Sequence, residues 1–160
     1  PNADPYPAIR RVMETLGFGK VATSAAEGEQ YGFLRKGVDK ISVNPDRILW
    51  LAKQEALHLA QQGYTPPEEP KVMAYGNAVL TRLLVELHNL KRGNFITEHD
   101  FTVASQIAYV LSGGDLSQPT EMPLSYFYRL EIQVVGYLAQ QPKTWDRMRH
   151  MLETGKPLRN

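Results

Sequence analysis

Apolar residues recur at helical spacing along most of this chain, and the longest such stripe runs from Lys71 to Arg92. Val72, Tyr75, Val79, Leu80, Leu83, Leu84, Leu87 and Leu90 follow one another in steps of three, four or one. That is a 3.6-residue period rather than an alternation of two, so the spacing predicts one long amphipathic helix. Glu69 and Pro70 precede it, and Gly93 with Asn94 ends it, a usual helix stop. The stripe needs a partner, and the helices predicted to start at Thr97 and Leu124 are the nearest candidates.

The other elements follow from shorter stripes and their stop signals. Pro7–Leu16 reads as a helix with Ile9, Val12, Met13 and Leu16 on one face, stopped by Gly17. Phe18–Thr23 is a connector. Ser24 and Glu27 form a capping box, opening a brief helix that Gly28 weakens and Gly32 ends. Phe33–Val43 is extended or irregular, with room for one short strand. Asn44 as N-cap and Pro45 at the first helical position start a helix that runs to about Gln62. Ile48, Leu51, Ala52, Ala56 and Leu59 are expected to face inward there. The three prolines between Tyr64 and Pro70 make a stiff loop.

Beyond the central stripe, Thr97 caps a helix with Glu98 and Asp100 in its first turn and Gly113-Gly114 at its end. Phe101, Ala104, Ile107, Ala108 and Leu111 form its apolar face. Asp115–Pro123 reads as a loop, and Leu124–Ala139 as a helix with Phe127, Leu130, Val134 and Leu138 inward. Thr144 opens a last helix carrying Trp145, Met148 and Leu152, and the tail from Lys156 to Asn160 is irregular. The expectation is therefore an all-α fold: an irregular bundle of six or seven helices with at most one strand. Residues 1–160 form a single helical domain, with a sub-boundary to be sought in the loop 64–70.

Composition narrows the function classes. At 160 residues, 42% hydrophobic and 22% charged, the chain is long enough for a real core and ordinary for a globular protein. A net charge of +1 points neither to nucleic acid nor to an anionic membrane. The absence of cysteine excludes disulfides and thiolate chemistry and fits a cytoplasmic setting. No run approaches the ~20 apolar residues of a membrane span. The start at Pro1 lacks both a signal-peptide pattern and an initiator methionine. A processed start and a piece of a longer chain both account for that.

Candidate chemistry is sparse. His58, His88, His99 and His150 are never four residues apart, so no helix face presents a pair of metal ligands. Glu98, His99 and Asp100 sit where capping alone favours acids. Glu55 and Glu131 lie near apolar helix faces; a carboxylate there is a structural acid or a general acid or base. The serines lack a nucleophile-elbow context. Gly17, Gly19, Gly113 and Gly114 form no phosphate-binding pattern. Arg10, Arg11 and Lys20 are a small basic cluster, either a solvated face or a phosphate contact. The helix after Thr97 presents Glu98, Asp100, Ser105 and Gln106, the wrong residues for reading DNA bases. The residues thus yield no catalytic site, no metal site and no nucleic-acid partner.

Several stretches together resemble a known family. They are KVATSAAE at Lys20–Glu27, NPDR at Asn44–Arg47, LAKQEAL at Leu51–Leu57, GYTPP at Gly63–Pro67, LSGGD at Leu111–Asp115, and the closing block PKTWDRMRHMLETGKPLRN at Pro142–Asn160. The chain resembles the C-terminal end of the bacterial multifunctional β-oxidation enzymes, which join a 3-hydroxyacyl-CoA dehydrogenase to a crotonase-type enoyl-CoA hydratase/isomerase. Ser24–Glu27 is generic to crotonases, whereas the closing block is specific; Gly28 stands where the crotonase pattern has alanine. The resemblance implies that the catalytic acids, oxyanion-hole amides and dinucleotide fingerprint lie upstream of Pro1. This chain would then carry no catalytic residues and bind no cofactor itself, while the parent uses NAD and acyl-CoA substrates. Its helices would cover the acyl-CoA pocket and build contacts with the upstream catalytic domains and within a homo-oligomer. The competing reading is a stand-alone helical interaction module without enzymatic role, which should leave no large apolar patch exposed.

Overall fold

The computed structural model describes residues 4–160; Pro1, at which the sequence was read for a leader, lies outside the described residues. The described residues form seven α-helices, one 3-10 turn and two short strands. In order these are α1 (Tyr6–Gly17), α2 (Ala25–Tyr31), the 3-10 turn Pro45–Arg47, α3 (Ile48–Gln61), β1 (Lys71–Ala74), α4 (Asn77–Arg92), α5 (Glu98–Ser112), β2 (Thr120–Pro123), α6 (Leu124–Leu138) and α7 (Pro142–Thr154). The chain divides into two compact units, Lys20–Glu68 and the remainder. One edge falls in the proline-rich loop named above; the other, at Gly19–Lys20, carries no proline-rich signal.

In the larger unit the predicted central helix is shorter than its stripe. Lys71–Ala74 is a strand, paired antiparallel with Thr120–Pro123 so that Lys71 faces Pro123 and Ala74 faces Thr120. The segment read as a loop before Leu124 thus supplies the second strand, and the strand expected within Phe33–Val43 does not form. Gly76 makes the break. Its φ of 58° and ψ of −144° are open to glycine almost alone, and a Cβ there would stand 2.1 Å from the Leu116 carbonyl oxygen. Val72, the first residue of the stripe, is consequently 40% exposed on the strand.

From Val79 onward the stripe behaves as expected. Val79, Leu80, Leu83 and Leu87 are buried, with Tyr6 and Met13 of α1 and Ala108 of α5 in the same cluster. α5 rather than α4 is the hub: it packs against α1, α4 and α6. No residue from His99 to Gly114 is exposed. α6 lies on α5 and β2, not on α4 as expected, and buries Leu130 and Val134. At the end of α5, Gly113 admits β1: a Cβ there would come 2.4 Å from that of Ala74. On α1, Val12 and Leu16 are exposed, and the contact is made by Tyr6, Ile9 and Met13. Trp145, Met148 and Leu152 of α7 are also exposed.

The smaller unit, Lys20–Glu68, buries one residue, Gly28. A Cβ at Gly28 would approach Leu34 Cδ1 to 3.3 Å, so this glycine permits a tight contact rather than merely weakening α2. Ser24 accepts from the Glu27 N–H, as a cap should, but the Glu27 carboxylate bonds the Thr23 N–H and hydroxyl instead of closing the box on Ser24. Asn44 caps the 3-10 turn by accepting from the Asp46 N–H. The inward face predicted for α3 is not observed: none of its residues is buried.

Candidate functional site

A concavity of about 610 Å³ lies wholly within the larger unit, among α1, α4, α5 and the C-terminal tail. That volume falls in the range of small-molecule sites. Its floor is the apolar face that the sequence predicts: Met13 from α1, Leu83, Leu87 and Leu90 from α4, and Ala104 from α5. Phe95 and Ile96, in the turn between α4 and α5, and Leu158, in the tail, add to the wall.

The rim carries three arginines and three carboxylates, and most are already paired. Arg10 Nε donates to Glu86 at 2.8 Å, and its terminal nitrogen lies 3.2 Å from Glu14. Burial pushes the Glu86 carboxyl up, but hydrogen bonds from Arg10 and Tyr6 outweigh it and hold Glu86 below the usual carboxylate range. The Tyr6 hydroxyl is pushed up to about 12, by burial first and by Glu86 second. Arg147 meets Asp100 at 2.8 Å, both side chains being mostly buried. Burial raises Asp100 as well, yet the Thr97 N–H, the Arg147 guanidinium and the Thr97 hydroxyl together hold it low. Carboxylates held in their charged form by cations are poor proton donors.

Asp100 also completes the N-terminal cap of α5. The Thr97 hydroxyl accepts from the Asp100 N–H at 3.1 Å and the Asp100 carboxylate accepts from the Thr97 N–H at 2.9 Å. The capping reading of Glu98, His99 and Asp100 therefore holds, with an addition the sequence did not show. Arg147 Nε donates to Asn160 Oδ1 at 2.8 Å, and Asn160 Nδ2 donates to the Lys143 carbonyl at 3.2 Å. The same guanidinium thus joins the α5 cap, α7 and the tail that walls the cavity. No local signal marks Arg147 or Asn160, because Asp100 and Asn160 lie 47 and 13 residues away from Arg147 in the chain.

The remaining candidates do not converge on the cavity. His99 is buried, its Nε2 3.0 Å from the Thr144 hydroxyl, and burial, then Arg147 and Lys143, lower its pKa. Among the described residues no group of histidines and acids could hold a metal. Glu55 is paired with Lys40, and Glu131 is exposed; neither is a buried acid. Arg10 of the basic cluster is engaged by two carboxylates, Arg11 is exposed, and Lys20 belongs to the other unit. Nor do these residues fit a dinucleotide, which needs a parallel βαβ unit with a glycine-rich first turn. The two strands here are antiparallel, and β1 enters α4 through a single glycine. The lining lacks a nucleophile set beside a base, so the cavity can shelter an apolar group but offers no catalytic pair.

The cavity thus combines an apolar floor with a rim of three arginines and three carboxylates. Over 157 residues, 98% of its length, the chain is 38% identical to a protein of Bacillus subtilis (strain 168) described as "Probable 3-hydroxyacyl-CoA dehydrogenase". It spans 20% of that relative's length. No protein-family model matches the chain, and no solved structure matches it. No helix among the described residues is long and apolar enough to cross a membrane.

Proposed function

We propose that this chain is the C-terminal helical part of a cytoplasmic fatty-acid β-oxidation enzyme in which a 3-hydroxyacyl-CoA dehydrogenase is joined to a crotonase-type enoyl-CoA hydratase/isomerase. The observation that carries this reading is similarity along 98% of the chain to one-fifth of a much longer dehydrogenase. The helices cover the acyl-CoA pocket and contribute subunit contacts in a homo-oligomer. The catalytic residues and the NAD site belong to the rest of the enzyme. The apolar cavity, with most of its rim charges paired, supports a sheltering role. The exposed side chains of α3 weigh against a self-contained interaction module.

The test is an activity assay on two proteins. The isolated chain should turn over neither crotonyl-CoA nor 3-hydroxyacyl-CoA with NAD. A chimera in which this chain replaces the matching segment of the Bacillus relative should retain the dehydrogenase activity measured for that relative. Turnover by the isolated chain, or an inactive but folded chimera, would overturn the reading.

A further inference from the structure

The charges on the rim of the cavity among α1, α4, α5 and the tail are not evenly spread. On the α1–α4 side a single arginine, Arg10, faces two carboxylates, Glu86 and Glu14. On the α5–α7 side Arg147 and Asp100 cancel each other. Those two arginines account for all three carboxylates of the rim, and the third arginine, Arg159, meets no carboxylate among the described residues. Arg159 is exposed, so a ligand can reach it from solvent. Its neighbours in the chain are nonetheless held. Leu158 walls the cavity, and the Asn160 side chain is bonded by Arg147 and by the Lys143 carbonyl. An anion entering this cavity is therefore repelled at the α1–α4 side and attracted at the tail. The rest of such a ligand has to be apolar, because the floor is Met13, Leu83, Leu87 and Ala104.

We propose that this cavity binds an aliphatic monocarboxylate, its chain on the floor of Met13, Leu83, Leu87 and Ala104 and its head on the Arg159 guanidinium. A carboxylate matches the planar fork of an arginine with two parallel hydrogen bonds. A phosphate dianion fits less well, since one unpaired arginine would face it across a rim that also carries three carboxylates. Capture of the head by Arg10 or Arg147 would strip Glu86 or Asp100 of its partner, which costs more than the new contact returns. The proposal goes beyond the covering role described above, because the ligand is taken up by this chain alone, whatever reaction the larger enzyme performs.

Octanoate, 1-octanol, octylammonium and octyl phosphate share a chain and differ in their heads, so titrating each into the methyl-labelled chain separates the contributions. By NMR, octanoate should shift the methyl groups of Met13, Leu87 and Leu158 saturably. It should bind about threefold more tightly than 1-octanol, the size of an exposed charge pair, and octylammonium should bind more weakly than either. Arg159→Gln should bring octanoate to the level of 1-octanol and leave 1-octanol unchanged. Arg159→Glu should make octylammonium the preferred ligand over octanoate. Both variants should keep the far-UV spectrum of the parent, because Arg159 is exposed. Equal affinities for octanoate and 1-octanol would overturn the proposal. So would an octanoate affinity indifferent to Arg159→Gln, or shifts confined to methyl groups outside the cavity. Tighter binding of octyl phosphate than of octanoate would overturn the carboxylate as the head. An inactive chimera built from a chain that binds octanoate would count against the enzymatic reading alone; an active chimera whose chain binds none would count against this site alone.

Discussion

At the scale of single residues, the glycines separate into two kinds. Gly63 has φ near 74° and open space within 4 Å of where a Cβ would stand, whereas a Cβ on Gly76 would strike the Leu116 backbone at 2.1 Å. Gly63→Ala should therefore cost only the left-handed strain of about 1–2 kcal/mol. Gly76→Ala adds a collision with main chain that cannot move aside, and should cost about 3 kcal/mol or more. Chemical denaturation of both variants checks the contrast; equal losses would show that the β1–α4 junction is looser than described. Gly63 follows the predicted helix end near Gln62, whereas Gly76 lies inside the stretch whose spacing predicts one long helix. The cost at Gly76 comes from the approach of Leu116, forty residues away.

At the scale of elements, the N-terminus of α5 is where capping, charge and burial meet. Thr97 and Asp100 satisfy each other's backbone N–H groups, Arg147 neutralises Asp100, and His99 sits buried against Thr144. Burial lowers the folded-state pKa of His99 below its ordinary 6.5. The unfolded chain therefore takes up a proton near that pH while the folded one resists. The stability that neutral His99 contributes is complete above pH 6.5 and is lost as the pH falls below it. Asp100, held low, adds a second loss below 3.8. Thermal unfolding across pH 8 to 5 should show a falling midpoint below 6.5 in the parent chain. His99→Gln should flatten that fall, and an unchanged slope in the variant would remove His99 as its source. The cap at Thr97 was legible in the sequence, since it involves only the first turn of α5. The Arg147 clamp was not, because nothing local distinguishes one arginine of α7 from another.

At the scale of the whole molecule, the two compact units differ in how much they bury. The larger has the cluster around Leu83, Leu87 and Ala108, while Lys20–Glu68 buries Gly28 alone. Local opening costs least where few apolar contacts break. Amides of α2 and α3 in the isolated chain should thus exchange well before those of α4 and α5, and uniform protection across all four helices would contradict this. The same imbalance explains why the inward face expected for α3 failed. Periodicity reports that a side chain wants burial, and it is silent on whether the covering surface belongs to the same stretch of chain.

The sequence by itself determined the all-α character, the helix ends at Gly32, Gly93, Gly113 and Gly155, the buried face of α4 from Val79 onward and the cap at Thr97. These follow from interactions within a few residues, and local chemistry suffices for them. Tertiary structure decided that the long stripe begins with a strand, because β1 finds its partner about fifty residues away. It also decided that α5 rather than α4 is the hub, and that Arg147 and Asn160 pin the tail that walls an apolar cavity. Each of those depends on groups far apart in the chain being brought together, which no pattern of nearby residues encodes.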